Sequence, residues 1–276
     1  MQKLSTEIIG SSNLPISVDI TFNGTSKDKP IVIFCHGFKG FKDWGAWNLV
    51  AEKFAENGFV FLKFNFSHNG TSPNNLLDFV NIEAFSKNNY SRELEDLQKV
   101  IDWSYSEEFF LENTSNKRFL IGHSRGGGAV LIKAFEENKI LKTCTWASID
   151  SYDRFGTAEQ IEQWKNDGEH VFINGRTGQK MPIKYQFYLD YIENIERLNI
   201  EKSLKENKKP MLIVHGTNDP AVIFESAENI VSWSKNASLL KVENANHVFG
   251  SKHPFTEKIL PKDLDFVVEK TIEFFS

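Results

Sequence analysis

The amino-acid sequence predicts an α/β fold in which helices cover both faces of a mostly parallel, doubly wound sheet. Short β-rich runs alternate repeatedly with longer amphipathic runs, which is typical of consecutive strand–helix units. Several predicted strands are apolar throughout, as expected for strands that are buried on both faces. The chain has 276 residues, of which 40% are hydrophobic and 25% are charged. This size and composition suit one large α/β domain.

The first part of the chain supplies strands of two kinds. Residues Ile16–Gly24 alternate apolar and polar side chains and predict an exposed edge strand. Residues Ile31–Gly37 are continuously apolar and predict a strand buried on both faces. Helical periodicity or a further β-rich run predicts the elements that follow, in the order helix 47–58, strand 60–66, helix 91–110, strand 118–123, helix 126–138, strand 143–149, strand 210–216, helix 223–235, strand 238–244 and helix 263–275.

One segment interrupts this alternation, between the strands predicted at 143–149 and 210–216. Residues 151–209 are far more than a single crossover helix needs. Loops of that length inside compact domains are usually functional or have secondary structure of their own. We therefore interpret 151–209 as an inserted, partly helical cap within a single domain that spans residues 1–276.

Composition and charge exclude several classes of protein. The formal net charge of −5 argues against nucleic acid or an anionic membrane surface as a partner. The chain starts without a signal-peptide core and contains no run of 18 apolar residues, so we expect a cytoplasmic protein without a membrane span. Cys35 and Cys144 lie in apolar runs and are expected to be buried. We expect no metal or organic cofactor and a monomer or homodimer.

The stretch Gly122-His-Ser-Arg-Gly126 lies between a predicted strand and a predicted helix. A G-x-S-x-G pattern in this context is typical of a nucleophile elbow, a sharp turn that tolerates only small neighbours around its serine. The serine hydroxyl, Ser124, would then lie at the N-terminus of the helix, where backbone N–H groups favour negative charge. The alternative is a glycine-rich turn with an incidental serine.

A serine nucleophile needs a base, and the chain offers seven histidines. His247 follows the last predicted strand, at the sheet edge where ligand-facing groups collect, and is favoured over His253. The base in turn needs a carboxylate, for which Asp219 follows the strand predicted at 210–216. Asp219 could instead be a turn residue, and Asp150 is the competing carboxylate. The order Ser124, Asp219, His247 is that of α/β-hydrolases.

Four segments carry a resemblance to the α/β-hydrolase superfamily, namely VIFCHGFKG, GHSRGG, VHGTNDPAV and NANHVF. The chain is most similar to single-domain esterases and dienelactone-hydrolase-like proteins, including feruloyl (cinnamoyl) esterases with an inserted cap. This resemblance implies that Ser124 is the nucleophile, His247 the base and Asp219 the acid. It also implies an oxyanion hole formed by the backbone N–H groups of Phe38 and Arg125.

Arg125 departs from the glutamine, methionine or leucine that many relatives carry after the serine. A cation at a helix N-terminus is unfavourable without a partner. We expect a salt bridge to a nearby carboxylate, or else recognition of an anionic substrate group. The aromatic side chains of Phe41, Trp44 and Trp47 are candidates for an acyl pocket, with burial in the core as the alternative.

The sequence therefore predicts a serine hydrolase that cleaves a small or medium carboxylic ester, with a small-molecule ester as its substrate. A thioesterase or a small peptidase or amidase would use the same machinery. The fold also includes ligand-binding members without catalytic activity. Labelling of the serine by a fluorophosphonate distinguishes the enzymes from these.

Overall fold

A computed structural model describes residues 1–24 and 26–276 and confirms the predicted α/β fold. Its strands are β1 (Gln2–Ile9), β2 (Pro15–Phe22), β3 (Ile31–Cys35), β4 (Val60–Phe64), β5 (Arg118–His123), β6 (Ile140–Trp146), β7 (Glu169–Ile173), β8 (Lys180–Lys184), β9 (Met211–Gly216) and β10 (Ala237–Val242). Its helices are α1 (Trp47–Glu56), α2 (Ile82–Ser86), α3 (Tyr90–Ser106), α4 (Glu108–Asn113), α5 (Arg125–Glu136), α6 (Ala158–Asp167), α7 (Gln186–Glu193), α8 (Ile200–Glu206), α9 (Glu225–Trp233) and α10 (Lys262–Phe275).

Within the described residues, eight strands form one sheet in the order β1-β2-β4-β3-β5-β6-β9-β10. All neighbours from β4 to β10 are parallel, whereas β1 pairs with β2 and β2 pairs with β4 in antiparallel fashion. Parallel neighbours require crossover connections, and these carry the flanking helices. The carboxyl ends of β3, β5, β9 and β10 consequently meet at the same edge of the sheet.

The sheet separates two hydrophobic cores. In β3, Ile31, Ile33 and Cys35 belong to the core on one face, and Val32 and Phe34 belong to the core on the other. Helices α3, α5, α8 and α9 contribute to the first core, and α1 and α10 contribute to the second. A strand covered on both faces must be apolar at every position, which explains the continuous apolar run seen in the sequence.

The prediction that Ile16–Gly24 forms an exposed edge strand is wrong. Strand β2 is internal, because β1 pairs along its outer side and forms the exposed edge. The polar side chain of Asp19 is buried in β2, with its carboxylate 2.7 Å from the ammonium groups of both Lys42 and Lys63. Paired charges make this burial tolerable, so alternating polarity does not indicate solvent exposure here.

The predicted insertion contains α6, the antiparallel hairpin β7–β8, α7 and α8. The hairpin was not predicted, although Asn174 and the glycines of the loop 174–179, between two short strand-like runs, are a turn signal. Helix α8 packs against α5 and α9 and contributes Ile200 and Leu204 to the core. The last part of 151–209 thus lies on the sheet-flanking layer, whereas α6 and the hairpin lie around the cavity described below. The single-domain organisation stays a prediction.

Both cysteines are buried, which confirms that expectation. Among the described residues, no helix is long and apolar enough to cross a membrane.

Candidate active site

Ser124 lies on a strained turn between β5 and α5. Its backbone has φ 55° and ψ −119°, in a region that a residue with a side chain rarely adopts. Such a conformation costs on the order of 1–3 kcal/mol and persists only where surrounding structure fixes it. The Ser124 N–H donates to the carbonyl of Trp146 at 2.9 Å, and the Ser124 carbonyl accepts from Gly127 N–H at 2.9 Å. These bonds hold the predicted elbow in place.

The glycines around Ser124 permit a close approach of backbone to backbone. A Cβ atom added to Gly122 would lie 2.3 Å from the carbonyl oxygen of Gly126. A Cβ atom added to Gly126 would lie 2.5 Å from the carbonyl oxygen of Cys35, on the neighbouring strand. A Cβ on Gly37 would lie 2.8 Å from the Cβ of Ser124. The spacing of the G-x-S-x-G motif is therefore a steric requirement of this junction.

The structure brings Asp219 and His247 together at the same edge. Asp219 follows β9, His247 follows β10, and Nδ1 of His247 lies 2.7 Å from Oδ2 of Asp219. Because a carboxylate only accepts, this contact assigns the proton to Nδ1. The competing carboxylate, Asp150, instead accepts a hydrogen bond from the side chain of Asn229 at 2.8 Å. The competing histidine, His253, accepts from the backbone N–H of Gly45 at 3.0 Å.

Asp219 is held by further donors. Its Oδ1 accepts from the N–H groups of Ala221 and Val222 at 2.8 and 2.9 Å, and Nε2 of His215 lies 3.4 Å from its Oδ2. Burial raises the pKa of this carboxyl, but the hydrogen bonds from His215, His247 and Val222 outweigh it and hold the pKa well below the usual range. Asp219 is therefore ionised and oriented towards His247.

The loop that carries His247 is tied to the residue preceding Ser124. Nε2 of His123 donates to the carbonyl of His247 at 2.9 Å, and the two imidazole rings lie 4.8 Å apart between centroids. Burial is the main cause that lowers the pKa of His123 to about 3, so this ring is neutral. His123 thus holds the loop that carries His247 against the elbow.

The candidate oxyanion donors lie at the ends of β3 and β5. Arg125 is the first residue of α5, where a backbone N–H lacks an intrahelical acceptor. The carbonyl of Gly37 accepts from Nδ1 of His36 at 2.9 Å and from Gly40 N–H at 3.0 Å. Since C=O and N–H point in opposite directions across a trans peptide, fixing this carbonyl also fixes the direction of the Phe38 N–H.

A cavity of about 400 Å³ opens beside Ser124. It lies between the sheet edge and the cap, and its wall is mainly aromatic and aliphatic. The lining residues are Phe38, Tyr90, Ser124, Arg125, Ile149, Arg154, Phe155, Gly156, Gln160, Trp164, His170, Phe172, Ile183, Phe187, Ala221 and Val222. This volume is within the range of small-molecule sites, which combine apolar walls with a few polar groups.

The side chain of Arg125 is paired. Its guanidinium forms a salt bridge with Glu93 of α3, a carboxylate whose side chain is only 4% exposed. The same guanidinium lies 4.2 Å from the centre of the Phe38 ring, a cation–π contact. The expected salt bridge is thus present, and the charge of Arg125 is largely neutralised before any substrate binds.

The structure corrects the expectation that Phe41, Trp44 and Trp47 line an acyl pocket. Phe41 and Trp47 are buried, and none of the three is among the residues that line the cavity. Trp47 packs on Phe34 in the core on the α1 side of the sheet. Phe41 and Trp44 lie beside the ring of His253. The alternative, burial in the core, describes Phe41 and Trp47.

The aromatic wall comes from residues that the sequence analysis did not assign to the site. His170 and Phe172 share one face of β7 because strand side chains alternate, and their rings lie 4.7 Å apart. Phe172 also contacts Phe38, at 5.1 Å between ring centres. The alternation of Glu169–Ile173 was the available signal. No sequence signal pointed to Glu93, whose role depends on α3 packing beside α5.

Solved structures with this fold cover nearly the whole chain. The Butyrivibrio proteoclasticus protein Est1E with ferulic acid bound is 21% identical with a TM-score of 0.70, covering 98% of this chain and 97% of that one. The esterase domain of a Rhodothermus marinus protein is 19% identical with a TM-score of 0.67, covering 99% and 98%. A puromycin-hydrolysing peptidase of Mycobacterium tuberculosis is 14% identical with a TM-score of 0.69, covering 99% of this chain and 39% of that one.

The fold and the serine at its elbow define the chain as a serine hydrolase of the α/β-hydrolase class. More specifically, residues 50–272 match the prolyl oligopeptidase family, and the chain belongs to that family. No curated protein sequence matched the chain.

Proposed function

We propose that the protein hydrolyses small or medium carboxylic esters through an acyl-enzyme, with Ser124 as nucleophile, His247 as base and Asp219 as the acid that orients the base. The observation that carries this proposal is the 2.7 Å contact between His247 and Asp219 at the edge that also carries the strained Ser124. Ser124, Asp219 and His247 each follow a strand that ends at this edge, which supports the three roles that acyl transfer requires. The hydrogen bonds of the described residues join His247 to Asp219 and include none between Oγ of Ser124 and His247.

In the first half-reaction, Oγ of Ser124 attacks the ester carbonyl carbon while His247 takes its proton. Because Nδ1 of His247 faces Asp219, Nε2 is the nitrogen available for this transfer. The resulting tetrahedral oxyanion accepts hydrogen bonds from the N–H groups of Phe38 and Arg125. When the intermediate collapses, the C–O bond to the alcohol breaks, and the imidazolium gives its proton to the departing alcohol.

In the second half-reaction, water attacks the acyl-enzyme carbonyl and gives a proton to His247. The tetrahedral intermediate then breaks its bond to Oγ, which regains the proton from His247. The carboxylic acid leaves, and Ser124 returns to its starting state. The ionised Asp219 stabilises the imidazolium in both halves.

The wall of the cavity supports an aromatic acyl group as the preferred substrate. Phe38 and Phe172 meet edge to face at 5.1 Å, and Phe187 and Trp164 belong to the same wall. Aromatic rings prefer such surroundings by about 0.5–1.5 kcal/mol per pair beyond area burial. We therefore expect benzoate or cinnamate esters to be cleaved with higher kcat/KM than acetate esters.

The direct test is labelling with a fluorophosphonate, followed by location of the adduct by peptide mass spectrometry. We expect stoichiometric modification of Ser124, none in Ser124→Ala, and hydrolysis of 4-nitrophenyl esters by the unmodified protein. Folded protein that neither labels nor hydrolyses any ester would contradict the proposal and favour a binding protein on the same fold.

The family membership favours one second candidate, an amidase or small peptidase. Peptidases that select a free N-terminus need a carboxylate for the ammonium group, yet the described residues that line the cavity include no aspartate or glutamate. Glu93 follows the wall residue Tyr90 in α3, but its carboxylate is paired with Arg125. Comparing kcat/KM for matched 4-nitrophenyl esters and aminoacyl 4-nitroanilides decides between the candidates.

A further inference from the structure

Two polar side chains on the cap side of the cavity offer hydrogen-bond donors. Arg154, which precedes α6, and Gln160, in the first turn of α6, both line the cavity. Gln160 Oε1 already accepts from the backbone N–H of Thr157 at 2.8 Å, which leaves its amide N–H groups for another partner. The two side chains therefore offer donors to a ligand on this side.

Arg154 differs from Arg125 in lacking an acidic partner. Among the described residues, no carboxylate lies within 4.0 Å of the Arg154 guanidinium, whereas Arg125 is bound to Glu93. One N–H of Arg154 donates to the carbonyl of Ala221 at 3.3 Å, on the loop that also carries Asp219. A guanidinium has five N–H donors. This hydrogen bond holds the Arg154 guanidinium beside the cavity and leaves other donors unused.

The charge of the cavity contrasts with that of the whole chain. The chain carries a formal net charge of −5, but the described residues lining the cavity include Arg125 and Arg154 and no acid. The salt bridge to Glu93 offsets the first of these charges. Arg154 consequently provides the uncompensated positive charge at this site, and because its side chain is exposed, salt can screen that charge.

From this arrangement we infer that Arg154, assisted by Gln160, forms an anion subsite that recognises a carboxylate on the acyl group of the substrate. The inference rests on the proposed ester hydrolysis and specifies its substrate class: esters of aromatic acids that carry a second, free carboxylate. The ring would occupy the aromatic wall, and the free carboxylate would accept hydrogen bonds from the guanidinium.

The test compares two esters of equal size, mono-4-nitrophenyl terephthalate and 4-nitrophenyl 4-carbamoylbenzoate. They differ in that a carboxylate replaces a neutral amide. At low salt we expect kcat/KM for the anionic ester to exceed that for the neutral ester about three- to five-fold, as for an ion pair at an exposed guanidinium. Raising the ionic strength should reduce this ratio.

Substitution of Arg154 then assigns the preference to one side chain. In Arg154→Gln the ratio should fall to about one, and Arg154→Lys should retain part of it, since charge persists without the planar fork. Arg176→Gln is the matched control, because Arg176 belongs to the same insertion, pairs with Asp78 and lies outside the cavity wall. A wild-type ratio of one, or a ratio that Arg154→Gln leaves unchanged, would overturn the inference.

Direct binding separates failure of the subsite from failure of the proposed chemistry. If neither ester is hydrolysed and Ser124 is not labelled, the proposed hydrolysis fails, and titration calorimetry with terephthalate still reads the subsite. A Kd weakened about three- to five-fold by Arg154→Gln but not by Arg176→Gln supports the subsite. Equal Kd values in the wild type and Arg154→Gln, or no binding to either, overturn it.

Discussion

The sheet edge around Ser124 and the part of the cap that contains α6, the β7–β8 hairpin and α7 form the two sides of one cavity, but they are built differently. At the edge, backbone meets backbone, and glycines permit contacts that a Cβ atom would block. In the cap, aromatic side chains such as Phe155 and Trp164 form the wall, and several neighbouring residues are exposed.

The two sides of the cavity therefore differ in how much change they tolerate. Close backbone contacts fix the position of the edge, and the rate of acyl transfer depends on accurate placement of the reacting groups. Side-chain packing fixes the cap, and it tolerates substitution at a cost of a few kcal/mol or less. We therefore expect changes at the edge to abolish function and changes in the cap to redirect it.

We expect the largest difference between the two sides in a pair of Gly→Ala substitutions. In Gly126→Ala the new Cβ would lie 2.5 Å from the Cys35 carbonyl and 2.6 Å from the His36 carbonyl. We expect insoluble protein or a loss of more than about 3 kcal/mol in the free energy of unfolding. Gly175→Ala in the cap hairpin, where nothing lies within 4 Å, should change it by less than about 1 kcal/mol. Urea denaturation measures both, and equal effects would contradict the comparison.

The next effect concerns the proposed acid. Asp219→Asn keeps the shape but replaces a charged, acceptor-only carboxylate with a neutral amide whose N–H can hold His247 in the wrong tautomer, so we expect kcat to fall by about 10³- to 10⁴-fold. Asp150→Asn is the matched control, since Asp150 contacts Asn229 rather than His247, and should leave kcat within about two-fold. Steady-state kinetics with a 4-nitrophenyl ester measures both variants. A similar loss of kcat in the two variants would contradict the assignment of Asp219 as the acid.

Acid should destabilise the edge through its buried histidines. Burial lowers the pKa of His36 to about 4 and of His123 to about 3, below the value of about 6.5 in an unfolded chain. The unfolded state therefore binds more protons, and stability is lost as pH falls from about 6.5. Each group contributes up to about 1.4 kcal/mol per pH unit between its unfolded pKa of about 6.5 and its folded pKa, which is about 4 for His36 and about 3 for His123.

Urea titrations of the wild type and His123→Asn at pH 7, 6, 5 and 4 measure this slope. We expect the free energy of unfolding of the variant to depend less steeply on pH, by the uptake of about one proton, whatever its value at pH 7. Identical slopes in the two proteins would show that His123 is not the group responsible.

The smallest expected effect lies in the cap. Phe172→Leu removes a ring that contacts both Phe38 and His170, and should lower kcat/KM for a benzoate ester about five-fold while sparing an acetate ester. Val171→Ala is the control on the opposite face of β7, where Val171 is exposed. Kinetics on the two esters checks this. An equal loss of kcat/KM on both esters would show that Phe172 acts as the edge residues do and not as part of a cap that selects the acyl group.

Much of the edge could be predicted from the sequence because its signals are local. The apolar run before Gly122 and the glycines after Ser124 specify a strand, a tight turn and a helix within a few residues. Asp219 and His247 follow strands in the same way. Parallel strands bring their carboxyl ends to one edge, so residues distant in the chain could be assigned to one place without coordinates.

Other features could not be predicted because they depend on which distant side chains meet. The polar face of β2 is buried since Lys42 and Lys63 reach Asp19, and nothing in the pattern of β2 specifies that pairing. Phe41 and Trp47 are aromatic residues near the predicted oxyanion strand, yet their backbone directs them into the cores.

The fold class, the elbow and the order of Ser124, Asp219 and His247 follow from local sequence, because strand periodicity and glycine sterics act over a few residues. The pairing of Arg125 with Glu93, the uncompensated charge of Arg154 and the aromatic wall emerge only when the chain is folded. Those features arise where the cap and α3 pack over the sheet edge, and such packing depends on contacts between residues far apart in the chain.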